Sequence, residues 1–203
     1  MKAFWNQRYS EPEFAYGEAP NVFLKTQIDQ LPVGKILFPA EGEGRNAVYA
    51  AKIGWDVAAF DMSEAGQQKA LLLAEKNGVA IDYVVNSFDN LPYQAAQFDA
   101  IGLVYAHFPA HLKSNFHKQL STYLKPGGKV IFEAFSKKHL EHSSINPKAG
   151  GPKNVDMLFS VEELQSDFEG FDILLLEEKE VILQEGLYHN GKSAVIRFVG
   201  QKK

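Results

Sequence analysis

Between residues 35 and 135, short apolar runs alternate with stretches whose apolar residues recur at helical spacing. The runs are Ile36-Leu37-Phe38, Val57-Ala58-Ala59-Phe60, Ile81 to Val85, Phe98 to Tyr105 and Lys129 to Phe135. The clearest are continuous rather than alternating, as in strands buried on both faces of a parallel sheet. Between them, Gly44 to Ile53, Ser63 to Asn77 and a segment within 110–123 carry the helical pattern. Ser63 suits an N-cap, and Gly54 and Gly78 stop the helices they follow. This βαβα alternation predicts a parallel sheet with helices on both faces. Ser160 then caps a helix over Val161 to Phe168. Two extended runs close the chain, Ile173 to Gln184 and Ser193 to Val199, joined by Gly186 to Gly191. They read as a hairpin, so the sheet ends in an antiparallel pair.

Two segments fall outside the alternation. Residues 1–31 are rich in aromatics (Phe4, Trp5, Tyr9, Phe14, Tyr16, Phe23) and broken by Pro12, Gly17 and Pro20. They predict an N-terminal helical cap, with Asn21 starting its second helix and Tyr16 to Asn21 forming one wall of a ligand site. Residues 136–159 carry Ser143, Ser144, Pro147, Gly150, Gly151 and Pro152 with little periodicity. They read as a long loop, or a short helix plus loop, of the kind that serves as a lid. No second domain is visible, so 1–203 is expected to be one α/β domain.

Composition narrows the function classes. Apolar residues make up 45% and charged residues 23%, as in an ordinary globular core. A net charge of −4 gives no footprint for nucleic acid or an anionic membrane. There is no cysteine, hence no thiolate nucleophile and no disulfide framework. His111, His117 and His142 show no metal-ligand spacing. The start of the chain lacks a secretory apolar region, and no run is long enough to span a membrane. These features point to a cytoplasmic protein.

The candidate chemistry gathers at the ends of the strands. Ile36-Leu-Phe-Pro-Ala-Glu-Gly-Glu-Gly44 is a strand followed by a glycine turn and a helix, which offers free backbone N–H groups to a nucleotide-like ligand. Gly42 and Gly44 leave room for close approach. Glu41 and Glu43 disfavour a pyrophosphate and suit a cationic ligand. Ala47 stands where dinucleotide enzymes often carry a third glycine. Asp61, seventeen residues after Gly44, ends the second run and is placed to take ribose hydroxyls, or else serves as a helix N-terminal charge. Asn86-Ser87-Phe88-Asp89 can hold an adenine, with Phe88 on the ring face or in the core. Tyr105-Ala-His107 ends the fourth run, and His107 is a candidate base or orienting group. Lys148 and Gly150-Gly151-Pro152-Lys153 can cradle an anionic substrate, or form a plain turn. Tyr188 and His189 lie at the closing hairpin's tip and are candidates for substrate contact.

Together these segments resemble the class I S-adenosylmethionine-dependent methyltransferases, the small bacterial tellurite-resistance and thiopurine-type enzymes in particular. The likeness rests on Trp5-Asn-Gln-Arg-Tyr9, Tyr16-Gly-Glu-Ala-Pro-Asn21, Ala40-Glu-Gly-Glu-Gly-Arg-Asn-Ala47, Asp61-Met-Ser63, Leu124-Lys-Pro-Gly-Gly128, Gly150-Gly-Pro-Lys153 and Tyr188-His-Asn-Gly-Lys192. It implies a Rossmann-like seven-stranded sheet of order 3-2-1-4-5-7-6 with strand 7 antiparallel. It implies S-adenosyl-L-methionine as cofactor, contacted by Tyr16, Asn21, Ala40, Glu41, Gly42, Gly44, Arg45, Asn46, Asp61, Met62, Ser63, Ser87, Phe88 and Tyr105. The sequence departs from that family where Phe38 replaces the usual acid and Ala40 the first glycine; Glu41 is the candidate replacement carboxylate.

The leading expectation is methyl transfer to a small molecule, with Lys153 and Tyr188 touching the acceptor. His107 or His189 would act as base if the acceptor is an oxygen. Two alternatives remain: a non-catalytic binder of S-adenosylmethionine or its demethylated product, and an NAD-binding oxidoreductase. The sequence leaves the acceptor and the oligomeric state open.

Overall fold

The computed structural model describes residues 1–203. Seven strands form one sheet in the order β3-β2-β1-β4-β5-β7-β6. They are β1 (Lys35–Pro39), β2 (Asp56–Asp61), β3 (Asp82–Val85), β4 (Phe98–Val104), β5 (Leu124–Phe135), β6 (Phe171–Glu185) and β7 (His189–Lys202). The first five run parallel, while β7 runs antiparallel to both β5 and β6. Helices α1 (Lys2–Tyr9) and α2 (Val22–Ile28) precede the sheet. Helices α3 (Arg45–Lys52), α4 (Glu64–Lys76), α5 (Lys113–Tyr123), α6 (His139–Ile145) and α7 (Val161–Asp167) follow in chain order.

The period of two along each strand divides the core into two layers. Leu37, Ile101, Leu103, Val130 and Phe132 face one way, against Leu120 of α5 and Leu164 of α7. Ile36, Phe38, Ala100 and Ile131 face the other way, against Leu24, Ile28, Ala47, Ala50 and Ala70 of α2, α3 and α4. Both faces are therefore covered, which is why the central strands read as unbroken apolar runs.

The structure sharpens the sequence reading at two places. Of the two forms expected for residues 136–159, it shows the short helix plus loop: α6 and two short 3-10 turns, Pro147–Ala149 and Val155–Met157. Ser136, His139, Ala149, Leu158 and Phe159 of that segment are buried, and Ser136 pairs with Phe159. The closing hairpin is also longer than the apolar pattern suggested. Its ladder continues through Gly191 to the cross-strand pair Glu185↔His189, leaving Gly186-Leu187-Tyr188 as the loop. That register sets two polar side chains opposite each other at the hairpin tip.

Candidate functional site

The carboxyl end of β1 opens into the turn that precedes α3. Ala40, Gly42 and Gly44 all take positive φ, at 52°, 63° and 85°. The two glycines do not lie open to a ligand as the sequence suggested. A Cβ on Gly44 would lie 2.6 Å from the Ala70 methyl, and one on Gly42 would lie 2.5 Å from the Tyr9 hydroxyl. They allow α4 and α1 to pack against the turn. Ala40 holds a left-handed conformation that L-residues adopt at a cost and that a glycine would adopt freely.

The two glutamates of the turn have separate roles. Glu41 accepts backbone N–H groups of Asn46 at 2.9 Å and Ala47 at 2.8 Å, capping the first turn of α3. Burial outweighs these bonds and pushes its carboxyl up to about 7. Glu43 instead pairs with Lys69 at 2.8 Å and accepts the Ala15 N–H at 2.8 Å. Its charge is neutralised within the protein, so the expected double-carboxylate repulsion of a pyrophosphate reduces to Glu41. Asp61, at the end of β2, accepts Gly42 N–H at 3.1 Å and Ser63 N–H at 2.9 Å. Burial raises it to about 6. Each Asp61 oxygen accepts one bond, so acceptor capacity remains for two hydroxyls. Ser63 caps α4 through Gly66 N–H at 3.0 Å, and Met62 beside it is half-buried.

A polar network links this turn to the N-terminal segment and the hairpin tip. Arg45 donates to Glu185 at 2.9 Å and to the Tyr16 carbonyl at 3.2 Å. Asn21 caps α2 by accepting Leu24 N–H, and it donates its amide to Glu133 at 2.6 Å and Glu185 at 3.2 Å. The Asn21 N–H bonds Asn46 at 2.9 Å. Tyr105, left-handed at φ 50°, donates its hydroxyl to Glu133 at 3.2 Å. Glu133 also takes Arg197 at 2.5 Å, its direct partner across the β5–β7 ladder. Burial works against a charge on Glu185, yet the bonds from His189 and Arg45 hold its carboxyl at about 2. The His189 ring lies 4.4 Å from both Tyr16 and Tyr105. The Arg8 guanidinium stands 4.1 Å above the Tyr188 ring and donates to the Tyr16 hydroxyl at 3.1 Å.

Tyr16, Asn21, Ala40, Glu41, Gly42, Gly44, Arg45, Asn46, Asp61, Met62, Ser63, Tyr105, Tyr188 and His189 thus occupy the carboxyl end of the sheet or the segments folded over it. Four other candidates do not fit their expected roles. Phe88 is buried, with its ring face stacked on Phe116 at 4.1 Å and its edges against Phe60 and Phe108. The core takes the face that an adenine would need. Ser87 is exposed and bonds Asp89. Lys153 is exposed with no bonded partner, while Gly150 and Gly151 pack against Tyr188 and His139 rather than around an anion. His107 donates from Nδ1 to the Met157 carbonyl at 3.0 Å, and burial lowers it to about 3. His189 is lowered by burial to about 4. Each is a weak base at neutral pH. Sequence reasoning missed Glu133, Arg197, Glu185 and Arg8. Glu133 had a legible signal, a single acid inside the apolar run Val130 to Phe135.

Residues 36–128 match the family of the methyltransferase domain. Over that segment, somewhat less than half of its length, the chain is similar to a methyltransferase domain. No curated protein sequence matches it. A structure from work on conversion of a disulfide bond into a thioacetal group during echinomycin biosynthesis superposes over all of this chain and 92% of its own. Its TM-score is 0.79 at 17% identity. TehB from Haemophilus influenzae aligns over 100% of the chain and 67% of its own, with TM-score 0.73 and 16% identity. A SAM-dependent methyltransferase from Methanosarcina mazei covers 87% and 96%, with TM-score 0.67 and 19% identity. At these identities the likenesses establish the fold. The donor set agrees with S-adenosylmethionine as cofactor: two buried carboxylates, Glu41 and Asp61, lack a cationic partner at contact distance. No helix is long and apolar enough to cross a membrane.

Proposed function

We propose that this protein transfers a methyl group from S-adenosylmethionine to a small-molecule acceptor enclosed between the N-terminal segment and the hairpin tip. The observation that carries the reading is the pair Glu41 and Asp61, both bonded to backbone N–H groups of the turn and its helix and neither in a salt bridge. When bound, the cofactor supplies an electrophilic methyl on a positively charged sulfur. Glu41 holds the ammonium of its methionine end, and Asp61 accepts the ribose hydroxyls. The backbone of the turn carries both groups on one rigid unit, because Asp61 bonds Gly42 N–H and Glu41 caps α3.

Little covalent chemistry falls to the protein. Alignment of acceptor and methyl group is the main contribution, worth at best roughly 7–11 kcal/mol. The network from Arg45 through Glu185 to His189 supplies that alignment by fixing the hairpin tip over the end of the sheet. Backbone contact closes the same region, since Leu187 N–H donates to the Ala15 carbonyl at 2.8 Å. Such an enclosure suits a small acceptor. The test is calorimetry with S-adenosylmethionine, S-adenosylhomocysteine and NAD, followed by labelled-methyl transfer to thiols, phenols, selenite and tellurite. Binding of NAD alone would sink the methyltransferase reading. Tight cofactor binding with no labelled product from any acceptor would favour a non-catalytic binder.

A further inference from the structure

The chain has three arginines, Arg8, Arg45 and Arg197. Arg45 pairs with Glu185 and Arg197 with Glu133. Arg8 forms no ion pair, and its hydrogen bond within the protein runs from Nη1 to the Tyr16 hydroxyl at 3.1 Å. Its place is fixed by α1, which is tied down on either side of it. Asn6 accepts the Ser63 hydroxyl at 2.7 Å and donates to Glu64 at 2.8 Å, and Tyr9 is buried against Gly42 and Gly66.

The surroundings of the Arg8 guanidinium are aromatic. Its central carbon lies 4.1 Å from the centre of the Tyr188 ring, 4.6 Å from that of Phe4 and 5.7 Å from that of Trp5. These rings attract the cation but offer no oxygen to its N–H groups. A guanidinium carries five N–H donors, and the Tyr16 hydroxyl takes one of them. The carboxylates that adjoin Tyr16 are committed elsewhere: Glu43 to Lys69, and Glu185 to Arg45 and His189. Arg8, Tyr16 and Tyr188 are all half-buried, so a molecule outside the chain can reach this cluster. The Tyr16 ring in turn lies 4.4 Å from the His189 ring, and that ring 4.4 Å from Tyr105 at the end of β4. Arg8 therefore stands one tyrosine side chain outside the buried part of the site.

Resting on the methyl-transfer reading above, we infer that Arg8 determines acceptor specificity: it selects molecules that carry a carboxylate apart from the atom to be methylated. Two parallel N–H groups of a guanidinium match the two oxygens of a carboxylate in spacing and plane. One unpaired guanidinium balances one negative charge, and the next cation inward, Arg45, is already paired. A singly charged carboxylate therefore suits the cluster better than a phosphate dianion. Held there, it leaves the rest of the acceptor to lie along the Tyr16 ring toward the end of the sheet. The carboxylate takes no part in bond making; it holds the acceptor at a second point, which restricts its orientation.

Calorimetry on the wild-type protein loaded with S-adenosylhomocysteine compares para-hydroxybenzoate with phenol, and mercaptopropionate with mercaptopropanol. The carboxylate of each pair should bind at least about tenfold more tightly at low salt, and the advantage should shrink as salt rises. Arg8→Met should bring the members of each pair within about twofold of one another. Arg8→Lys keeps the charge without the fork and should retain an intermediate preference. Tyr16→Phe removes the partner of Arg8 but keeps the ring, and should leave the preference in place. A purely structural role for Arg8 would weaken both members of a pair alike, so the ratio separates the two roles. Affinity for S-adenosylhomocysteine, measured in parallel, reports that each variant is folded. Nuclear Overhauser contacts from the bound hydroxybenzoate ring to the homocysteine methylenes are expected. Equal affinities in the wild type, no binding of either carboxylate, a preference that survives Arg8→Met, or a bound benzoate without those contacts overturns the inference. Failure of the wild type to bind S-adenosylhomocysteine would instead defeat the methyltransferase reading, and this inference with it.

Discussion

Cofactor affinity is predicted to depend steeply on pH, because the two carboxylates that we propose hold the cofactor are largely protonated in the free protein at mildly acidic pH. Burial raises Glu41 to about 7 and Asp61 to about 6. A ligand that binds their ionised forms must displace those protons. Between pH 7.5 and 5, Glu41 alone weakens binding by about 80-fold, and Asp61 adds about tenfold. Near pH 6 the association should release about one and a half protons. The ligand's own ammonium, titrating near ~7.7, is nearly fully charged below about pH 6.5 and loses about a third of its charge only at the top of the window, which offsets the slope by less than about twofold. Calorimetry in buffers of differing ionisation enthalpy measures both quantities. Glu41→Gln should abolish the portion of the slope centred near 7, and Asp61→Asn the portion centred near 6. An affinity flat from pH 5 to 7.5, or a Glu41→Gln protein with the wild-type slope, would refute the reasoning.

The same shifts set the stability of the unliganded protein. Both groups have folded values above their unfolded ones, so the fold binds their protons more tightly. Their contribution favours folding most below about pH 4 and is lost as pH rises through 6 and 7, by roughly 3 kcal/mol for each group. Cofactor binding recovers part of this loss, so the thermal shift it produces should grow with pH.

Four further outcomes follow from particular contacts. Ala40→Gly relieves a left-handed φ of 52° and should add about 1 kcal/mol of stability in urea denaturation; Ala96→Gly, with the same φ in an exposed turn, should do likewise without touching cofactor affinity. A Cβ at Gly186 would run into the backbone of Ala15, Tyr16 and Gly17, so Gly186→Ala should loosen the hairpin tip and raise KM for the acceptor severalfold, read by steady-state kinetics. Arg197→Met leaves the Glu133 carboxylate buried without its partner and should cost about 3–5 kcal/mol, while the double variant with Glu133→Gln recovers much of it. Phe88→Ala should cost about 3–5 kcal/mol by opening a core cavity, and competition by adenine analogues should be unaffected.

The sheet was legible because its strands are buried on both faces and its helices end at glycines with positive φ, such as Gly54 and Gly78. Both are local signals. The strand order needed the family likeness, since no single run states its neighbours. Glu41 and Asp61 were found by position, at the ends of β1 and β2. Their bonding was not legible, because a carboxylate beside a turn can face a ligand, a helix N-terminus or a lysine. Glu41 and Glu43, two residues apart, divide between the second and third of these. Phe88 went to the core for a similar reason: its aromatic partners Phe60, Phe108 and Phe116 come from three distant segments. The long-range pairs Glu133–Arg197 and Arg45–Glu185 depend on strand register, which a single sequence does not encode visibly.

The two ends of the site therefore differ in how they respond to acid. At the proposed cofactor end, burial brings the carboxylates of Glu41 and Asp61 up to about 7 and 6. In the proposed acceptor region, burial brings the imidazoles of His107 and His189 down to about 3 and 4. A shift from pH 7.5 to 5 crosses both carboxylates and neither imidazole, so it should act on the cofactor alone. At saturating cofactor, the KM for a neutral acceptor should stay constant within about twofold over that range, while the half-saturating cofactor concentration rises by two to three orders of magnitude. A KM for the acceptor that climbs in parallel would mean that an imidazole is titrating there. The division between a proton-linked cofactor end and a proton-indifferent acceptor end would then be wrong.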